Sequence, residues 1–207
     1  VCTAYENTIE KFGKKEKRLA INHLQIVSDD LFDRMKANDI LAFIQPIFVA
    51  SDKKIIASLV GEEVAQRSYL WKTMLKKGLI CCGGSDAPVE RFDVLENIQV
   101  AVTRDALHEK TEGWHPQEKL SVLEALRMFT ISNAYASFDE QNKGSLEIGK
   151  AADLVLLSND PFTTDAHSIA QIQVLKTYVD GKEVYAGYLY NAVALLEEYE
   201  DTGLTPE

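Results

Sequence analysis

Short apolar runs alternate with helical stretches over residues 18–84, and this alternation limits the possible folds more than any other feature of the sequence. The runs 19–27, 41–47 and 79–83 have the composition of buried strands, and the stretches between them have helical patterns. Strands that alternate with helices are typical of βα units, in which a helical crossover joins two parallel strands. The sequence therefore predicts an α/β fold with a parallel sheet.

The second half of the chain has a different pattern. A helix is predicted over 94–103, and another begins at Ser121, where Ser121 and Glu124 have the spacing of a capping box. Apolar runs after Gly149 predict strands, and the pair Asp180–Gly181 is typical of a two-residue hairpin turn. We therefore expect a small antiparallel β unit after the helical part.

Composition excludes several classes of function. The chain has 32 acidic and 22 basic residues and a net charge of −10, which disfavours nucleic acid and anionic membranes as partners. It contains no apolar run of the roughly 20 residues that cross a bilayer. Its three cysteines show no C-x-x-C spacing, so neither a disulfide framework nor a zinc knuckle is predicted. We expect a cytoplasmic protein that acts on a small molecule.

Three polar residues stand where a predicted strand ends: His23, Gln45 and Asp86. Functional groups of parallel barrels collect at the carboxyl ends of strands. Each residue also has a structural explanation, namely a core histidine, a strand end and a turn or helix cap. An imidazole followed two strands later by a carboxylate, after the pair Gly83–Gly84, favours a divalent metal, because both groups are zinc ligands.

Four segments resemble segments of a known family and follow one another in the order found in that family. They are INHLQIVSDDLFDRM, FIQPIFVASD, GGSDAPVE and KGSLEIGKAADLVLLSNDPF. They resemble the amidohydrolase superfamily, in particular the metal-dependent hydrolases with a TIM-barrel fold that are grouped as amidohydrolase family 3. The resemblance covers residues 5–186. It implies an α/β fold in which residues 1–149 form the C-terminal part of a (β/α)8 barrel, about strands six to eight. Residues 150–187 then form part of a small β-sandwich, and 188–207 an acidic helix or tail.

The resemblance also implies roles for the three strand-end residues. His23 corresponds to the metal-binding histidine at the end of strand six. Asp86 corresponds to the aspartate at the end of strand eight, which lies on or next to the metal and takes a proton from the metal-activated water. Gln45 falls at the end of strand seven, where members of the family line the substrate pocket. The implied activity is hydrolysis of an amide or related C–N or C–O bond.

Three further residues fall on the long excursion after the last predicted strand: Arg104, Trp114 and His115. The resemblance assigns them to the substrate pocket. The alternatives are surface solvation for Arg104 and loop contacts for Trp114 and His115. The sequence alone leaves both interpretations open.

Some parts of the family pattern have no counterpart in the chain. These are the H-x-H pair of strand one, the lysine or carboxylate of strand four and the histidine of strand five. We therefore expect the divalent metal, Zn²⁺ in the first instance, to be weakly held or absent in this chain alone, and the chain alone to be inactive. Self-association or an N-terminal barrel segment is expected to cover the surface left by the missing strands.

Two other functions fit parts of the sequence. The Gly83–Gly84–Ser85 turn lies where many barrels bind phosphate, although Asp86 would repel a phosphate unless a cation intervened. A non-catalytic module that acts through a partner chain is the second alternative, since several ligands of the family are missing.

Overall fold

The computed structural model describes residues 1–13 and 17–187. The helices are α1 Cys2–Phe12, α2 Asp29–Ala37, α3 Val49–Asp52, α4 Ile56–Val60, α5 Glu62–Ala65, α6 Trp71–Lys76, α7 Val94–Thr103, α8 Val122–Phe129 and α9 Ile131–Ala136. The strands are β1 Ala20–Asn22, β2 Leu41–Ile44, β3 Cys81–Gly83, β4 Leu154–Leu157, β5 Val174–Val179 and β6 Lys182–Ala186. Short 3₁₀ turns cover Pro46–Phe48, Pro116–Glu118 and Ala166–Gln171. The predicted acidic helix over 188–207 lies outside the described residues.

The first three strands form a parallel sheet in the order β1-β2-β3. Ile21 is paired with Ala42, and Phe43 with Cys82. Helical segments connect the strands, which confirms the predicted mixed α/β fold with parallel βα units. Because β2 lies between β1 and β3, its side chains Leu41, Ala42 and Ile44 are buried.

Two predicted elements are shorter than the sequence suggested. The strand predicted over 19–27 ends at Asn22, and the helical stretch predicted between the runs 41–47 and 79–83 is interrupted between α5 and α6. The two interruptions share one cause, because the chain after β1 pairs with the chain between the helices. Ile26 forms an antiparallel bridge with Ser68, and the Tyr69 amide donates to the Gln25 carbonyl at 2.8 Å.

The core lies between the parallel sheet and the helices that follow its strands. Phe32 and Met35 of α2 and Trp71 and Met74 of α6 are fully buried there. The predicted α7 is confirmed over 94–103, with Asp93 as its N-cap. The predicted capping box of α8 is also confirmed, since Glu124 N donates to Ser121 Oγ at 3.2 Å and Ser121 N to Glu124 Oε2 at 2.7 Å.

The last three strands form a separate antiparallel sheet in the order β4-β5-β6. Asp180 and Gly181, both with positive φ, make the predicted turn between β5 and β6. A cleft of about 620 Å³ separates this sheet from α8 and α9. Apolar side chains of the sheet, such as Val155 and Val184, are exposed. None of the helices in the described ranges is long and apolar enough to cross a membrane.

Candidate metal centre

His23 and Asp86 come together at the carboxyl end of the parallel sheet. His23 follows β1 and Asp86 follows β3, and His23 Nε2 lies 3.7 Å from Asp86 Oδ2. Adjacent strands lie about 4.8 Å apart, so the backbones of β1 and β3 are separated by roughly 10 Å across β2. The two side chains therefore reach towards each other across the end of the middle strand. Both are partly accessible, with side-chain exposures of 46% and 43%.

The backbone at both residues has an uncommon conformation. The φ angles are 68° at His23, 43° at Leu24 and 58° at Asp86. Positive φ is rare for residues other than glycine, and it persists where the surrounding structure enforces it. Beyond His23, the Leu24 amide donates to the Asn22 carbonyl at 2.9 Å, and the Val89 amide donates to the Asp86 carbonyl at 2.8 Å. These turns direct both side chains away from the strand directions.

The glycine pair before Asp86 serves two purposes. An ideal Cβ on Gly83 would lie 2.6 Å from the Phe129 ring, so Gly83 makes room for a helix side chain of the protein itself. Only Gly84 has open space beside it, with no atom within 4 Å of an ideal Cβ. Its amide donates to the Ile44 carbonyl at 3.0 Å and extends the ladder between β2 and β3.

Gln45 lies at the end of β2, the strand between those that carry His23 and Asp86. Its side chain is 8% exposed, and its Oε1 is buried without a hydrogen-bond donor among the described residues. A buried oxygen without a partner costs free energy unless a ligand or water satisfies it. Phe48, in the turn after Gln45, has its ring 6.0 Å from the His23 imidazole.

The separation of the His23 and Asp86 side chains is close to that of two ligands on one zinc ion. Two ligand atoms bound to one tetrahedral Zn²⁺ at 2.0–2.2 Å are about 3.4 Å apart. The observed separation of 3.7 Å agrees with a shared ion to within a few tenths of an ångström. Within residues 1–13 and 17–187, however, no group of three or more His, Cys, Asp or Glu side chains could hold a metal. His23 and Asp86 are therefore suited to supply two donors of a metal site. The remaining donors of such a site would have to come from other residues.

Arg104, Trp114 and His115 come together in a second cluster. Arg104 Nε donates to the Trp114 carbonyl at 2.9 Å, and its guanidinium lies 5.2 Å from the centre of the Trp114 ring. Trp114 and His115 stack with ring centres 3.9 Å apart. On the other side of Arg104, the Trp71 ring lies at 4.5 Å. Arg104 is 0% exposed, so surface solvation, the alternative considered for it, is wrong.

Burial governs the ionisation of this second cluster. Burial lowers the pKa of Arg104 to about 10, although Glu118 and Tyr69 act in the opposite direction, so the guanidinium is charged at neutral pH. Burial also lowers the pKa of His115, and the charge of Arg104 adds to this effect. A neutral His115 beside a charged Arg104 results. Arg104 Nε and Nη1 donate to protein carbonyls, whereas Nη2 is buried without a hydrogen-bond partner among the described residues.

Tyr69 connects the two clusters, and the sequence did not reveal this residue. Its carbonyl accepts from Arg104 Nη1 at 2.9 Å, and its amide donates to Gln25, two residues after His23. Its hydroxyl accepts from Gln25 Nε2 at 2.7 Å and donates to Asp52. The only sequence signal was the interruption of the apolar run after His23 by Gln25.

Comparisons with known proteins agree with this architecture. The family model described as "Amidohydrolase family" matches residues 1–185. The YtcJ protein of Bacillus subtilis is 35% identical over 181 residues, which are 86% of this chain and 34% of YtcJ. An N-substituted formamide deformylase of Arthrobacter pascens is 36% identical over 110 residues, 53% of this chain and 20% of the deformylase.

Among solved structures, an uncharacterized metal-dependent hydrolase from Pyrococcus furiosus matches with a TM-score of 0.63 and 30% identity. The match covers 78% of this chain and 32% of the hydrolase. The chain thus spans about a third of the length of YtcJ and of this hydrolase.

Proposed function

Because this chain belongs to the amidohydrolase family, which matches residues 1–185, we propose that it supplies part of the centre of a metal-dependent hydrolase that cleaves a C–N bond. In this proposal, His23 and Asp86 are metal ligands, and Asp86 is also the catalytic acid–base. The observation that carries the proposal is the 3.7 Å separation of His23 Nε2 and Asp86 Oδ2.

The chemistry of the two side chains supports these roles. A bound divalent metal such as Zn²⁺ polarises the scissile carbonyl and activates water at neutral pH. His23 supplies an imidazole nitrogen, a preferred zinc donor. Asp86 has two carboxylate oxygens, and Oδ2 is the one that faces His23, so the same carboxylate has an oxygen left to take a proton and to return it to a leaving amine.

The solvent accessibility of His23 and Asp86 also supports a catalytic role for the pair. Side-chain exposures of 46% and 43% leave room beside His23 and Asp86 for a small-molecule substrate. We propose that Gln45, at the end of the strand between them, contributes to substrate binding, because its buried Oε1 needs a donor that a substrate N–H group or water would provide. The deformylase relative acts, by its name, on an N-substituted formamide, which has the kind of C–N bond proposed here.

The proposed centre requires donors from outside the described residues. Catalytic zinc sites use three protein ligands and a water, and this pair provides two. We propose that a further barrel segment or a partner chain contributes the others, and that this chain alone has little or no turnover. Apolar side chains on the second sheet are exposed, for example Val155 at 52% and Val184 at 60%. This exposure supports the proposal that another segment or a second copy covers the surface of this sheet.

The test is metal content and hydrolysis of a panel of N-formyl and N-acyl amines by the protein that the complete reading frame encodes. We expect His23→Ala and Asp86→Ala to reduce both the zinc content and the turnover at least 100-fold. His108→Ala and Asp30→Ala, which alter exposed residues of the same types, are the matched controls and should leave both unchanged. Full zinc content and turnover in Asp86→Ala would overturn the proposal.

A further inference from the structure

The segment after β1 holds His23 in a conformation that its own residues do not favour. His23 and Leu24 are two consecutive residues with positive φ, at 68° and 43°. One local bond supports this turn, from the Leu24 amide to the Asn22 carbonyl at 2.9 Å. Leucine has no side-chain group that favours positive φ, so contacts from outside the turn are expected to contribute as well.

The contacts come from the segment between α5 and α6. The Val27 amide donates to the Arg67 carbonyl at 3.2 Å, Ile26 forms a bridge with Ser68, and the Tyr69 amide donates to the Gln25 carbonyl at 2.8 Å. The two hydrogen bonds flank the Ile26–Ser68 pair and together form the bridge that ties 25–27 to 67–69. These ties begin two residues beyond His23.

The side chain of Tyr69 adds a second set of bonds at the same place. Its hydroxyl accepts from Gln25 Nε2 at 2.7 Å and donates to the Asp52 carboxylate, and Gln25 Nε2 lies 3.4 Å from Asp52 Oδ2. The three side chains form a closed triangle. Burial raises the pKa of the Tyr69 phenol, and the bond to Asp52 adds to this effect, so the hydroxyl keeps the proton that it donates.

Tyr69 is itself fixed by contacts with Trp71, Trp114 and Arg104. Its ring packs edge-on against Trp71 and Trp114, with ring centres at 5.7 Å and 5.9 Å, and its carbonyl accepts from Arg104 Nη1 at 2.9 Å. Tyr69 is 1% exposed. These contacts immobilise Tyr69, and the hydrogen bonds between Tyr69 and Gln25 therefore restrict the motion of Gln25.

We propose that Tyr69 is a positioning residue for His23, an inference that rests on the proposed function of His23 as a metal ligand. The triangle of Tyr69, Gln25 and Asp52 keeps the turn at His23 and Leu24 in the left-handed conformation, which places the imidazole opposite Asp86. Residues that orient a metal ligand without touching the metal affect metal affinity strongly.

The test uses Tyr69→Phe, which removes the hydroxyl and retains the ring, with Tyr178→Phe as the matched control. Tyr178 lies on β5, and its hydroxyl bonds Glu183 at 3.5 Å. We expect the amides of residues 24–27 to exchange hydrogen at least 10-fold faster in Tyr69→Phe, while β5 amides keep their rates. The Zn²⁺ dissociation constant, measured by competition with a chelator, should rise about 10-fold. Asp52→Asn is a second variant and should shift both readouts in the same direction.

The outcomes separate this inference from the proposed function. If wild-type protein binds Zn²⁺ and His23→Ala does not, while Tyr69→Phe matches wild type in zinc affinity and in exchange at 24–27, the positioning role is wrong and the metal site stands. If the wild-type protein of the complete reading frame binds no Zn²⁺, the proposed metal role of His23 fails, and the exchange rates still decide whether Tyr69 holds the turn. Faster exchange in every element of Tyr69→Phe would indicate general destabilisation and overturn the inference.

Discussion

His23 Nε2 and Asp86 Oδ2 lie 3.7 Å apart at one edge of a parallel sheet, although the strands that carry them are not neighbours. Each residue has a positive φ that turns its side chain out of the strand direction. The pair is thus assembled by two backbone turns, which other residues of the chain must maintain.

We expect Arg104→Met to destabilise the fold and to leave the KM for the substrate unchanged. The substitution leaves the carbonyls of Tyr69 and Trp114 without their donor in a buried cluster, and we expect a loss of about 2–4 kcal/mol in the free energy of unfolding. Urea denaturation measures this loss. Arg127→Met changes an exposed arginine and should stay within about 0.5 kcal/mol. Unchanged stability of Arg104→Met together with a raised KM would contradict this expectation and favour the substrate role that the family resemblance implies.

We expect Asp105 to make the free energy of unfolding depend on pH in the acid range. Burial by itself raises the pKa of Asp105, but hydrogen bonds from Thr111, His167 and Lys53 together lower it to about 2. A carboxyl group with a lowered pKa stabilises the folded state above its unfolded pKa of about 3.9, and this contribution is lost as the pH falls towards 2.

Asp105→Asn removes this group, and the difference in unfolding free energy between wild type and variant is the quantity to measure. It should be constant above pH 5 and shrink between about pH 4 and pH 2. Asp29→Asn, an exposed site, is the control, and its difference should change much less over the same range. A difference for Asp105→Asn that is constant from pH 6 to pH 2 would contradict the assigned pKa.

Gly113→Ala should damage the loop that carries Trp114 and His115. Gly113 has a φ of 79°, and a Cβ there would overlap the Thr103 carbonyl oxygen and crowd Arg104 Cβ at 3.1 Å. We expect a loss of more than about 2 kcal/mol, because both the backbone conformation and the space are unsuited to a side chain. Gly84→Ala has open space and should cost less than about 1 kcal/mol. Equal melting temperatures of the two variants would show that the close approach at Gly113 is unimportant.

The sequence predicted those features that depend on local chemistry. The capping box of Ser121 and Glu124 and the turn at Asp180 require only neighbouring residues, and both are confirmed. The parallel order of β1, β2 and β3 followed from alternating strand and helix patterns and is also confirmed. The strand-end rule directed attention to His23 and Asp86, and the structure places the two side chains together.

Features that depend on distant contacts could not be predicted in the same way. The break between α5 and α6 occurs because 67–69 pairs with 25–27, and no local pattern around Tyr69 indicates this pairing. Arg104 was considered as a solvated or substrate-binding residue because arginines are mostly exposed. Its burial depends on Trp71 and Trp114, which are distant from each other in the sequence. Gly83 accommodates Phe129, which follows it by almost fifty residues.

His23 and Asp86 are proposed to bind one metal ion, and anomalous diffraction at the zinc edge locates such an ion. Crystals of the protein that the complete reading frame encodes would be soaked in Zn²⁺, with crystals of its Asp86→Ala variant as the control. We predict an anomalous peak within about 2.2 Å of both His23 Nε2 and Asp86 Oδ2, and its loss in Asp86→Ala. Density at other surface histidines with none between His23 and Asp86 would contradict the claim.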